Sequence, residues 1–424
     1  MEQVISNVAC TVCACVCDDL VLKVREGRVA SISPDCSLAE PWFAQQTQDV
    51  AERVTVEGKV VDRAAGLARA QEIVNASQAP LIYGLSRSST AGQRAAIALA
   101  DRLRATIDTT ASEGHAPSIL ALQQVGESTC SLGEVRNRAD LVIYWGSNPV
   151  VSHPRHLERY SADPVGSHLP NGRADRTLVV LDVEPTETAN VADQFVKVPP
   201  NADLVLILAL RALLQGQPLA EGLIPGLSAD VLVDLVERMK NCRYGIVFFG
   251  YGLVHQRNGH RLVEQLLRLV TELNAYTRFS ARRMRVVGDV SGADSVLAWQ
   301  TGYPFSVNFG PGWPRYNPGE FSAAETLARR DVDAAILVGS DRLETFPPAA
   351  LDYLRSIPTI LLDGPLGTLP FEPTVRFTTA TYGLHHRGIA YRMDEVPIPL
   401  RAPLINSLPT DAEILDDLLA RLGP

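Results

Sequence analysis

Residues 140–146 read DLVIYWG and run on into Ser147, Asn148 and Pro149. Leu141 to Trp145 are all apolar, and Val142, Ile143, Tyr144 and Trp145 are β-branched or aromatic. A strand with one wet face alternates apolar and polar residues; an unbroken run like this one is buried on both faces, as in a parallel sheet covered by helices. The same signature recurs at 79–84 (APLIYG), 177–182 (TLVVLD), 244–250 (YGIVFFG), 333–339 (DAAILVG) and 358–363 (PTILLD). Between these runs the apolar period changes to that of a helix. Residues 91–105 place Ala95, Ala96, Leu99 and Leu103 on one face, and 203–214 and 259–274 read likewise. Strand and helix in alternation predict an α/β chain.

The order also repeats. Residues 79–84 and their helix match 244–250 and 259–274, and the two later strands match 333–339 and 358–363. Strand ends agree as well, Gly146-Ser147-Asn148 against Gly339-Ser340-Asp341. The expectation is two similar parallel-sheet, Rossmann-like units facing a cleft where strand C-termini meet. The expected division is a Cys-rich hairpin segment over 1–60, one repeat over 61–220 and a second over 221–365. An aromatic-rich insertion at 277–321 interrupts the second repeat, and a β-rich part with a closing helix follows over 366–424. The insertion holds Trp299, Tyr303, Phe305, Phe309, Trp313 and Tyr316, which either cover an interface or line a core.

With 424 residues, 46% of them apolar, the chain is long enough for two or three packed units. A net charge of −9 without a basic run excludes a nucleic-acid surface. The first ten residues have no basic, apolar leader pattern, and the run 204–214 is interrupted by Arg211 and too short to span a bilayer. A cytoplasmic protein without membrane contact is expected.

Five of the seven cysteines fall within residues 10–36. Cys10, Cys13, Cys17 and Cys36 follow C-x2-C-x3-C-x18-C, with a hairpin over 18–32 turning at Glu26-Gly27 to return the last of them; Cys15 is out of register. Such thiols would hold a [4Fe–4S] cluster or a tetrahedral zinc ion, or else pack as small buried apolar groups. His153 and His156 are spaced as two ligands on one helix face would be, a spacing that structural histidines share. No nucleophile elbow or P-loop is present.

Several segments resemble one family in order along nearly the whole chain. They are CTVCACVCDDL at 10–20, TASEGHAPSILALQQVG at 110–126, WGSNPVVSHPRHLERYS at 145–161, ELNAYTRFS at 272–280, WQTGYPF at 299–305, PRYNPGEF at 314–321 and GIAYRMDEVPI at 388–398. Together they resemble the B subunit of formylmethanofuran dehydrogenase, within the molybdopterin oxidoreductases. The resemblance implies an iron–sulfur cluster on the N-terminal cysteines. It also implies tungsten or molybdenum held by two pterin dinucleotides and one protein cysteine or selenocysteine, in a segment like S-x-C-H-G-P-S. Here that segment reads Ser112-Glu113-Gly114-His115-Ala116-Pro117-Ser118. His115 matches the family histidine, and Gly114 stands at the cysteine, where it can coordinate nothing.

The expectation is therefore no molybdopterin or tungstopterin, no catalytic residue in this chain, and a degenerate redox site. Related non-redox subunits imply a formyltransferase/hydrolase complex that passes formyl from a tetrahydromethanopterin-type pterin to a furan-type carrier and releases formate. Its partners would be an amidohydrolase-like and a formyltransferase subunit. The alternatives are an active tungsten or molybdenum subunit carrying a [4Fe–4S] cluster, or an independent enzyme using the cleft. Arg282, Arg283 and Arg285 belong to a stretch, 278–315, with five arginines against two aspartates, and are expected to receive the carrier's anionic tail.

Overall fold

The six apolar runs are strands: Pro80–Gly84, Leu141–Trp145, Thr177–Asp182, Tyr244–Phe249, Ala334–Val338 and Thr359–Asp363. The computed structural model describes residues 2–423. The intervening helices include Thr90–Leu103, Asp203–Leu214 and Gly259–Leu273. Gly259–Leu273 shows how they cover the sheet: Leu262, Val263, Leu266, Leu267, Leu269, Val270 and Leu273 are all buried on one stripe.

Two large sheets hold these strands. One is entirely parallel, in the order Gln194–Lys197, Thr177–Asp182, Leu141–Trp145, Tyr244–Phe249, Arg278–Arg283. The other has a parallel centre, Thr106–Thr109, Pro80–Gly84, Ala334–Val338, Thr359–Asp363, Val375–Thr378. Short antiparallel strands extend it at both edges.

The strands that read as equivalent in the two halves of the chain pair across those halves. Pro80–Gly84, from the first half of the chain, lies between its own successor Thr106–Thr109 and the second half's Ala334–Val338. Tyr244–Phe249, its counterpart, lies between Arg278–Arg283 and the first half's Leu141–Trp145. Equivalent backbone bonds close equivalent turns: Gly146 N donates to Leu181 O at 2.9 Å and Gly339 N to Leu362 O at 2.8 Å. One folded unit accordingly takes the chain up to Glu113 and from Val287 onward, and the other is Gly114–Val286. The boundaries 61–220 and 221–365 do not describe these units. Likeness of sequence does not decide which strands pair; hydrogen bonding does.

The N-terminal hairpin pairs Leu20–Arg25 with Arg28–Ser33 across Glu26 and Gly27, both at positive φ (51° and 70°), and Glu2–Val8 adds a third strand. The stretch 277–321 is largely regular: the strand Arg278–Arg283, the helix Val290–Thr301 and a short hairpin. Its aromatics divide, with Phe305 and Phe309 buried, Tyr303 stacked on Tyr316, and Trp299 and Trp313 more than half exposed. Among the described residues no helix is long and apolar enough to cross a membrane.

Candidate functional site

In the unit Gly114–Val286, Gly114 lies beside Tyr251. Gly114 closes the short helix Ala111–Gly114 and is buried. Tyr251 opens the turn that follows Tyr244–Phe249, and its place is set by backbone contact. Gly252 N donates to Gly146 O at 2.9 Å, so close that a Cβ on Gly252 would lie 2.7 Å from Gly146 Cα. Only glycines allow this approach. A Cβ built on Gly114 would lie 3.0 Å from Tyr251 Oη, with Cε1 at 3.6 Å and Cζ at 3.8 Å. His115, also buried, stacks on the Tyr251 ring at 5.4 Å, and His255 stacks on it at 4.6 Å. A metal anchored from position 114 does not fit here: the donor atom is missing, and a side chain would begin only 3.0 Å from a tyrosine hydroxyl.

The three arginines are not a solvated patch; Arg282, Arg283 and Arg285 are 4%, 7% and 4% exposed. Arg283 pairs with Glu127 at 3.2 Å, each of the two side chains being 8% exposed. The Arg285 carbonyl accepts a hydrogen bond from His153 Nε2 at 2.5 Å, while Ser152 Oγ donates to His153 Nδ1 at 2.8 Å. Burial pushes the His153 pKa down to about 4, so the ring is neutral at pH 7. His156 Nδ1 is within 2.9 Å of the Tyr144 hydroxyl and 3.1 Å of Ser161 Oγ. Both histidines thus serve the packing of this unit and do not form a ligand pair.

In the other unit Cys10, Cys13, Cys15 and Cys17 are buried and Cys36 is partly so. A backbone bond from Cys10 N to Cys17 O, 2.8 Å, closes the loop. Burial, then neighbouring Cys13 and Cys17, push the Cys10 thiol well up. Cys15 is also pushed well up, first by hydrogen bonds to Cys13 and Cys17, so it stands among the motif thiols and not apart in the core. Among the described residues no group of three or more His, Cys, Asp or Glu is placed to hold a metal ion.

The same unit has a cavity of about 310 Å³ at the C-terminal ends of its parallel strands, where such folds bind ligands. Arg87 and Asp341 form an ion pair on its wall. Ser340 Oγ donates to Asp363 Oδ2 at 2.6 Å, and Gly364 N to Asp363 Oδ1 at 2.7 Å. Sequence reasoning did not single out these residues, although an acid closing strand 358–363 and another after Gly339-Ser340 were visible signals. Beside this sheet Asp108 is fully enclosed and pushed up to about 7 by burial, its carboxylate accepting from Ser306 N at 2.9 Å and Ala323 N at 2.7 Å. Glu113 is likewise raised to about 7, by burial and then by Glu325 and Asp108.

Comparison with known proteins gives a consistent set of relatives. The chain is 38% identical, over 100% of its length and 99% of the relative's, to the B subunit of the tungsten-containing formylmethanofuran dehydrogenase 2 of Methanocaldococcus jannaschii. It is 35% identical, over 99% of each chain, to the protein of the same name from Methanococcus maripaludis. It is 27% identical to the B subunit of the formyltransferase/hydrolase complex of Methylorubrum extorquens, over 67% of this chain and 74% of that one. No protein-family model matches. Among solved structures, a chain of the Methylorubrum extorquens formyltransferase/hydrolase complex, determined with methylofuran, shares the fold with a TM-score of 0.71. That match has 24% identity and covers 87% of this chain and 98% of the other.

Proposed function

The chain belongs to the family of formylmethanofuran dehydrogenase B subunits, and from that premise we propose that it is a non-redox, structural and carrier-binding member of a cytoplasmic formyltransferase/hydrolase complex. The observation that supports this reading is that Gly114, which the resemblance matches to the metal-anchoring cysteine, carries no donor and is faced by Tyr251. A thiolate both binds a soft metal and tunes it, and neither a glycine nor a neutral phenol does so. The chemistry then lies in partner subunits: formyl transfer from a pterin in one, hydrolysis of the formyl-furan carrier in an amidohydrolase-like other. This chain supplies scaffold.

The second reading, a tungsten or molybdenum dehydrogenase subunit, is favoured by the higher identity to the tungsten-containing relatives. Whole-chain identity, however, reports a scaffold built from hundreds of packing positions, whereas metal anchoring depends on one side chain. The two readings separate in one assay on the purified complex. Release of formate from the formylated carrier without any electron acceptor supports the proposal; carrier-dependent reduction of a viologen dye overturns it.

A further inference from the structure

We propose that Tyr251 is the residue that closes the anchoring position, so that loss of the side chain at 114 and the presence of Tyr251 form one coupled feature. The inference rests on reading position 114 as the lost anchor, but its evidence is steric and independent of any metal. Tyr251 supplies all three atoms nearest to a Cβ at Gly114, and the hydroxyl at 3.0 Å is close enough that it must give by a few tenths of an ångström to admit one. A sulfur would lie one bond further out, toward the ring carbons at 3.6 and 3.8 Å in one direction.

The tyrosine is partly buried, and its ring stacks on the buried His115 at 5.4 Å and on the exposed His255 at 4.6 Å. Its backbone is fixed by the Gly146–Gly252 contact and by Gly250 N donating to Trp145 O at 3.1 Å. Gly114 itself is not at positive φ, so an L-residue there meets no backbone strain. What opposes a side chain at 114 is therefore Tyr251, and chiefly its hydroxyl.

The test is a double-substitution cycle in the full chain, using wild type, Gly114→Cys, Tyr251→Phe and the pair, read by thermal unfolding. Native-state alkylation of the peptide that contains residue 114 gives a second readout. Phenylalanine removes the 3.0 Å contact and leaves the ring stack. Gly114→Cys alone is expected to lower Tm by about 3–6 °C, as a steric cost of that order does in units of this size. In the Tyr251→Phe background the loss should fall below half of that, with the thiol alkylated several-fold faster. Equal Tm losses in both backgrounds would overturn the proposal. If neither cysteine variant folds, Gly114→Ala in the same two backgrounds reads the same contact, and equal losses there overturn it too. The tungsten content of the wild-type complex, by contrast, bears only on the functional reading.

Discussion

At the scale of single residues, the positions that matter are Gly114, Tyr251 and the three arginines Arg282, Arg283 and Arg285. Gly114 was legible in the sequence because a family segment framed it; Tyr251 was not, since 137 residues separate the two and no pattern links a tyrosine after YGIVFFG to a glycine before His115. The arginines show the opposite failure. Their charge was legible, but a run of arginines reads as solvated until burial is known, and these are enclosed. The consequences differ within the group. Arg283→Ala strands Glu127 as a buried, uncompensated carboxylate, so a loss of about 3–5 kcal/mol is expected in urea unfolding. Replacing both partners by Met and Leu should recover most of it. Arg282→Ala with Arg285→Ala removes two further enclosed guanidinium groups, and should lower stability in the same assay while leaving KM for a long-tailed carrier unchanged in an intact complex. A raised KM in an intact complex would instead put these two side chains at a carrier site.

At the scale of elements, the six strands buried on both faces and the helices Thr90–Leu103, Asp203–Leu214 and Gly259–Leu273 were readable, because two-faced burial and helical period leave direct marks on composition. The strands Thr106–Thr109, Gln194–Lys197, Arg278–Arg283 and Val375–Thr378 and the helices Arg63–Ala76, Ala229–Asn241 and Val290–Thr301 were not. Pairing was not readable. Periodicity makes Pro80–Gly84 and Tyr244–Phe249 read as equivalent, and it is silent on the pairing that sets each beside a strand of the other half. The two similar turns nevertheless differ in a testable way. Gly146 and Gly339 both have positive φ, 57° and 85°. A Cβ on Gly339 would meet nothing closer than 3.5 Å, whereas on Gly146 it would lie 2.9 Å from Gly252 Cα. Gly339→Ala should then cost only the left-handed backbone penalty, about 1–2 kcal/mol. Gly146→Ala should cost roughly 1–3 kcal/mol more, because backbone must move. Denaturant midpoints of the two variants compare them directly, and equal losses would mean that the Gly146–Gly252 approach does not constrain Tyr251.

At the scale of the whole molecule, the two units carry buried groups of opposite titration behaviour. Asp108 and Glu113 are raised to about 7 in the unit that includes the chain ends. Between pH about 4 and about 7 that native unit holds protons its unfolded form has lost, so its stability is fullest at the acid side and declines as pH rises through 7. His153, lowered to about 4 in the unit Gly114–Val286, acts the other way. Its contribution is complete above pH about 6.5 and is lost as pH falls toward 4. Hydrogen-exchange protection in Thr106–Thr109 should therefore fall from pH 5 to 7.5 while that in Tyr244–Phe249 rises. Asp108→Asn should flatten the first trend and leave the second. Parallel trends in both strands would show that these groups do not govern the units' pH response.

The family relationship and the side chains around Gly114 both bear on whether this chain carries a redox metal. Elemental analysis of the anaerobically purified native complex answers that most directly. Tungsten and molybdenum are expected far below one atom per copy of this chain. Either metal near one atom per copy, accompanied by pterin, would contradict the non-redox reading and return the chain to the dehydrogenases it resembles in sequence.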